Sequence, residues 1–398
     1  MTKLAHSSSP ANKVFSIDDL LTGILLRLPV RSLLRFKSVS KHWYFLITSP
    51  SFKLIRNRSP DPPLGLFVPI RNNKPHLVYD FISFDIENPV KAPLPTPIFG
   101  PNVEAIDIQH SSNGLMLCRS HSSDFNKLAR CALPNEYYVY NPTINQFITL
   151  PRTENYDRFG RSGMTIAFDP SKSSDYRIIY VCGFVNTNNL LGDMNYKIEI
   201  FSSTTRTWKS SSQFSFDRRV YLNFTNGVYW NNAIHWIQAG FILYFNLDDE
   251  CIHEKPTPLR LLGLDEGLNH IFSSQDQLLL VEFELLSLHS KFKIHELKRD
   301  YSTWSVKYHV DLEQIGGSFP EIMNPHLAFH FEFVVLSLVL GEKEDDSFLV
   351  LKAHGKALRF NVVTKTFQKL HDFPASHFRN VFEEMACGFQ FVESFYSP

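Results

Sequence analysis

At 398 residues the chain exceeds one ordinary core, and the length points to about two domains. Hydrophobic residues at 43% and charged residues at 20% fit a folded protein and exclude a wholly disordered one. Formal charge is zero, yet residues 1–58 hold ten Lys or Arg against Asp18 and Asp19, a net of +8, leaving −8 for the remainder. A basic module beside an acidic body fits nucleic acid, a membrane surface or an acidic protein. Here the basic residues alternate with a dense apolar pattern, which favours a protein partner. Five cysteines (Cys118, Cys131, Cys182, Cys251, Cys387) form no CxxC pair and read as reduced thiols. Met1 to Phe15 has no apolar signal core, and the longest apolar run, Leu327 to Leu340, includes His330 and Glu332 and is too short for a bilayer. That run reads as core strands. A soluble protein of the cytoplasm, the nucleus or both is expected, with no membrane or nucleic-acid partner.

In chain order, residues 1–14 are rich in Ser, Pro and Asn and are expected to be disordered. Residues 15–57 have helical periodicity. Ser16 to Asp19 forms a capping box, and Leu20, Leu21, Ile24, Leu25 and Leu28 make one broad apolar stripe that Pro29 stops. Leu33, Leu34 and Phe36 mark a short second helix. Ser40 caps a third that contains Trp43, Phe45, Leu46 and Ile47. Three helices in so few residues lie at the edge of independent folding, and leftover apolar surface means that a partner covers it. Residues 58–64, with Pro60, Pro62 and Pro63, read as a stiff linker.

From residue 65 to 398 strand patterns replace helix patterns, in keeping with 14% aromatic residues, 35 Phe and 15 Tyr among them. A strand, an Asn or Asp turn, and a strand with a bulky residue recur at turn positions 85, 141, 201, 246, 296 and 361. The spacings of 56, 60, 45, 50 and 65 scatter about the roughly 50-residue period of a four-stranded propeller blade. Asn113-Gly114 and Asn226-Gly227 supply hairpin turns. Six copies predict an all-β propeller of about six blades, with a β-sandwich as the alternative. Gly388 to Phe395 reads as a terminal strand that closes the ring against an early blade, or else as an ordinary edge strand.

The helical segment resembles an F-box from Phe15 to Phe52. Ile24 to Pro29, Ser32 to Phe36 and the Val39-Ser40-Lys41-x-Trp43 run match the family pattern, although the family has Leu-Pro where this chain has Ser16-Ile17. The remainder is similar to the kelch-like F-box-associated domain of plant-type F-box proteins. The matching pieces are Ser112 to Cys118, Tyr140 to Thr143, Gln146-Phe147, Leu150-Pro151, Phe168 to Ser171, Asn226 to Trp230 and Val392 to Ser394. The resemblance implies a Skp-type adaptor and, through it, cullin and RING subunits of a ubiquitin ligase, an unknown protein target, and no catalysis or cofactor. Adaptor contacts are expected among Ile17, Leu20, Leu21, Ile24, Leu25, Leu28, Pro29, Leu33, Leu34, Val39 and Trp43, some of which must be internal core.

Enzyme signatures are missing: no GxGxxG, Walker loop, GxSxG elbow or HExxH occurs. His235 and His295 stand in no cluster with ligand spacing, so no metal site is assigned. Asp61, Asp80 and Asp85 form no recognisable acid/base pair, and Arg35, Lys41 and His42 read as solvated helix residues. The stretch Arg152 to Gly163 has no strand pattern, yet it concentrates Arg152, Tyr156, Arg158, Phe159 and Arg161, types favoured at binding hot spots. It reads as a solvated connector between blades or, on the sharper reading, as the candidate target loop. Rival readings are a Skp-bound module without degradation and a carbohydrate-binding propeller.

Overall fold

Proline and serine divide the helical segment into four pieces. In a computed structural model they are α1 (Asp18–Leu25), α2 (Val30–Phe36), α3 (Lys41–Thr48) and α4 (Pro50–Arg56). The structure describes residues 18–58, 61–70, 77–91, 103, 105–121, 136–153, 162–184, 193–217, 220, 222–238, 240–258, 270–283, 291–315, 319, 333–353, 355–373 and 388–398. The expected disorder of 1–14, Ser16 and Ile17 lie outside these residues. Asp18 and Asp19 open α1, where negative charge suits the helix dipole. Pro29 does not stop α1, which ends at Leu25. With φ −56° and ψ 149° it instead leads into α2, and its carbonyl accepts from the Ser32 and Leu33 N–H groups at 3.0 and 3.1 Å. Ser40 Oγ accepts from the Trp43 N–H at 3.2 Å, the expected cap of α3. A fourth helix was not expected. Ser49 caps it by accepting from the Phe52 N–H at 3.2 Å, and Pro50 sits at its first position, where a missing N–H is harmless.

The rest of the chain is the predicted propeller of six antiparallel blades, of which blades 2 to 6 are meanders. Blade 1 holds β1 (Gly65–Ile70), β2 (Val78–Ser83) and the last strand, β23 (Phe389–Phe391). Blade 2 is β3 (Ala105–Ser112), β4 (Leu115–His121), β5 (Tyr137–Asn141) and β6 (Gln146–Thr149). Blade 3 is β7 (Gly163–Ala167), β8 (Arg177–Phe184), β9 (Met194–Ser202) and β10 (Thr207–Phe216). Blade 4 is β11 (Val228–Trp230), β12 (Ala233–Ile237), β13 (Phe241–Asn246) and β14 (Ile252–Pro256). Blade 5 is β15 (His270–Ser274), β16 (Gln277–Phe283), β17 (Lys291–Leu297) and β18 (Trp304–Asp311). Blade 6 is β19 (Val334–Val339), β20 (Phe348–Ala353), β21 (Lys356–Asn361) and β22 (Phe367–Asp372).

Innermost strands β23, β3, β7, β11, β15 and β19 touch in succession around the axis. The ring closes where Gly388 donates to Leu336 O at 3.0 Å and Gln390 Nε2 to Ser337 Oγ at 2.8 Å. Every residue of β19 is buried, which explains the apolar run there. The terminal strand does close the ring. β23 pairs with β1 in antiparallel register, Phe389 opposite Phe67 and Phe391 opposite Gly65.

The sequence repeat is the outer hairpin of each blade. β5–β6, β9–β10, β13–β14, β17–β18 and β21–β22 are its five full copies, and the weak copy after β2 occupies the matching place in blade 1. Asn141, Asn246 and Asn361 each accept, through Oδ1, an N–H two residues on at 2.8–2.9 Å, forming Asx turns. Asn145, Arg206, Glu250, Tyr301 and Lys365 take the left-handed place in the five turns, with φ of 52–59°. The bulky residue serves packing between blades. Trp208 Nε1 donates to Pro151 O at 2.7 Å and Trp304 Nε1 to Pro256 O at 3.0 Å, each reaching the preceding blade. Asn113-Gly114 joins β3 to β4 as expected. Asn226-Gly227 joins no paired strands and leads into β11, a correction to the hairpin expectation. The β11–β12 and β15–β16 turns are Asn231-Asn232 and Gln275-Asp276, both residues left-handed without any glycine.

Gly114 tests this close assembly. Its φ is +87°, and a Cβ there would lie 2.4 Å from Ser394 Cβ and 2.8 Å from Val392 O. Gly114→Ala is expected to cost about 1–2 kcal/mol for the left-handed backbone and about 1–3 kcal/mol for the overlap. Chemical denaturation measures the sum. Wild-type stability would show that the C-terminal residues do not pack on this turn.

Candidate functional site

Small helices must share a core, and these share theirs with the ring. Leu21, Leu25, Val30, Leu33, Ile47 and Phe52 are buried in one cluster with Leu117, Val139, Phe168, Tyr176, Phe395 and Tyr396. The structure thereby sorts the eleven residues expected at the adaptor surface. Leu21, Leu25 and Leu33 are fully buried, so a partner docking on the folded module does not reach them. Leu28, Leu34 and Trp43 are half-buried and pack against the same core, Trp43 edge-on to Phe36 at 5.2 Å. Pro29 is exposed, as are Leu20 (50%), Ile24 (46%) and Val39 (58%). Ile17 lies outside the described residues.

Four further exposed apolar residues, Tyr44, Phe45, Leu54 and Ile55, are not among the eleven expected at the adaptor surface. Of eleven large hydrophobic residues exposed among the described residues, seven lie on this helical segment, which makes it the one concentrated apolar surface there. The signal for Phe45 was present. Two positions from both Trp43 and Ile47, it falls on the opposite side of a helix of 3.6 residues per turn. Basic groups of the same helices have partners of their own. Arg56 is held by both oxygens of Asp61 at 2.7 Å, and His42 Nε2 contacts Asp18 Oδ1 at 2.8 Å. Burial lowers the pKa of both Lys37 and Lys53.

The helices stand on one face of the ring. In an antiparallel meander the first-to-second and third-to-fourth connections emerge together, and the other connections emerge opposite. The turn after Asn141 and the β7–β8 connection at Phe168 to Tyr176 meet the helical module and the C-terminal residues. The second-to-third and blade-to-blade connections therefore form the far face. Arg152, exposed and 3.9 Å from Glu136, begins the link from blade 2 to blade 3 on that far face. Tyr156, Arg158, Phe159 and Arg161 lie outside the described residues.

The remaining sequence candidates have structural partners. His235 is fully buried, its Nε2 2.9 Å from Tyr301 Oη and its Nδ1 3.3 Å from Val228 O, and burial pushes its pKa down to about 3. His295 Nε2 meets Glu282 at 2.7 Å. Among the described residues no group of three His, Cys, Asp or Glu could hold a metal ion. Asp61 binds Arg56, Asp80 pairs with His371 at 3.2 Å, and Asp85 caps its own turn by accepting from the Asn88 N–H.

A capped helical module that leaves its apolar side chains bare, seated on a closed six-bladed ring, defines an F-box protein of the propeller class. Comparison with protein families gives the same class: residues 18–55 match the F-box domain. Residues 96–337 match the family described as F-box protein At3g26010-like, beta-propeller, and the chain belongs to that family. Among relatives from Arabidopsis thaliana, F-box protein At5g07610 is 32% identical, covering 98% of this chain and 94% of its own length. F-box protein At5g49610 is 24% identical over 77% and 81% of the two chains. F-box/kelch-repeat protein At3g17530 is 23% identical over 69% of each.

Proposed function

We propose that the chain is the substrate-recognition subunit of an SCF-type cullin-RING ubiquitin ligase, without catalysis of its own. The observation that carries this reading is the bare apolar surface of the F-box, with Leu20, Ile24 and Val39 about half in water on the free chain. A Skp-type adaptor covers it, and the module's net charge of +8 over residues 1–58 suits an acidic partner. The propeller holds a protein target on the far face. Tethering then raises the effective concentration of target lysines beside the ubiquitin-conjugating enzyme to roughly millimolar. Such work is done in the cytoplasm or nucleus.

The test compares target half-life in cells that express the full chain with cells that express one lacking residues 18–56, after proteins associated with the chain are identified under proteasome inhibition. Removing the F-box should lengthen the half-life of associated proteins. Equal half-lives would leave a binding module without degradation. Within this reading, Tyr156→Ala with Arg158→Ala is expected to lose the target and keep both adaptor and fold. An identical set of associated proteins in quantitative proteomics would remove the 152–163 link from the target surface.

A further inference from the structure

Beyond β23 the chain stays against the ring. Asn141, fully buried at the outer turn of blade 2, donates through Nδ2 to the carbonyls of Ser394 at 2.9 Å and Tyr396 at 2.8 Å. Ser394 N–H donates to Thr143 Oγ1 at 3.0 Å. Ring contacts add to these bonds, with Phe168 edge-on to Tyr396 at 5.3 Å. One side of the segment is thus fastened to blades 2 and 3.

The other side holds the helices. Glu393, whose side chain is 8% exposed, pairs with Arg31 of α2 at 2.5 Å. Lys37, just after α2, lies 6.0 Å over the Phe395 ring, and Lys53 of α4 lies 5.6 Å over the Tyr396 ring. Asn57 Nδ2 donates to Tyr396 Oη at 2.6 Å, and that hydroxyl faces Pro170 O at 3.4 Å. Phe395 and Tyr396 are each 4% exposed. Attachments at both α2 and α4 oppose rotation as well as separation, which a single covalent connection cannot do alone.

We propose that residues 392–396 are a strap that fixes the F-box in one orientation on the propeller. The strap sets the angle between the adaptor surface and the far face; that consequence rests on the receptor reading, while the strap itself does not. Loss of the strap would leave docking intact and free the F-box to swing.

The experiment uses the full chain, wild type against Glu393→Ala with Tyr396→Ala. Three measurements are made: small-angle scattering, amide exchange, and co-purification with a Skp-type adaptor. The variant should show a longer maximum dimension, and amides of α2 and α4 should exchange about tenfold faster. Strands β4, β5 and β8 should keep their protection, and adaptor recovery should match wild type. A second variant, Arg31→Met with Asn57→Ala, cuts the same contacts from the helical side; it decides the matter if the tail variant loosens the blades. Unchanged scattering and exchange in this second variant overturn the strap. So does loss of the adaptor with scattering unchanged, which would make the tail part of the docking surface. Should the wild-type chain recover no adaptor, the receptor reading fails while scattering and exchange still decide the strap.

Discussion

Leu20→Asp together with Ile24→Asp is expected to abolish recovery of a Skp-type adaptor with the chain while leaving its melting temperature unchanged. Both side chains are about half in water on the free chain, so the new carboxylates stay hydrated and the fold loses little. At a docked surface the same carboxylates lose water without gaining partners, a penalty of several kcal/mol each. Since about 1.4 kcal/mol is tenfold in affinity, two such penalties remove a micromolar complex from any co-purification. Leu25→Asp fails as a test because Leu25 is fully buried and its charge would disrupt the module core. Leu28→Ala with Pro29→Ala is intermediate, since Leu28 packs on that core while Pro29 is exposed. Its loss of adaptor should come with a smaller loss of stability. Wild-type recovery with aspartate at 20 and 24 would end the assignment of α1 as a docking element.

Deleting residues 386–398 is expected to lower the melting temperature of the whole ring in one cooperative step. The deletion removes β23, the innermost strand of blade 1, and with it the ladder to β1. It also removes three buried aromatic side chains, Phe391, Phe395 and Tyr396. Truncation of one buried aromatic costs about 3–5 kcal/mol, and a domain's whole stability is about 5–15 kcal/mol. The deletion therefore approaches complete unfolding. Phe391→Ala alone gives a readable intermediate: about 3–5 kcal/mol lost in a single calorimetric transition. Unchanged melting after the deletion would falsify closure by this strand. A separate early transition for one blade would show that closure is not cooperative.

How far the sequence reads can be judged from particular residues. The Asn141, Asn246 and Asn361 turns were visible because an Asx turn needs a specific side chain at a specific place. The Asn231-Asn232 and Gln275-Asp276 turns were invisible, because the left-handed signal is strong only when glycine carries it. Asn226-Gly227 carries that signal and still joins no paired strands. At the F-box, periodicity found the stripe of α1 but could not say which half faces the ring. Leu20 and Leu21 are adjacent in the stripe, yet one is half in water and the other fully buried. Leu21 shares its cluster with Phe168, Tyr176 and the tail, residues far off in sequence. The holding role of Glu393 to Tyr396 was hidden for the same reason. Val392 to Ser394 matched the family pattern, but nothing local shows that Asn141 and Asn57 lie on either side.

The pairing of Phe67 with Phe389 also bears on how the chain is made. At about 5–20 residues per second, Phe67 leaves the ribosome on the order of tens of seconds before its partner exists. Through that interval β1 and β2 are a two-stranded hairpin, a unit of marginal stability with an unpaired edge. Blades 2 to 6 contain only strands consecutive in the chain, so each can be laid down as it emerges. Blade 1 is begun first and finished last. A stop codon shortly before residue 389 is then nearly as damaging as one in mid-chain, because either product carries an open first blade into the cell.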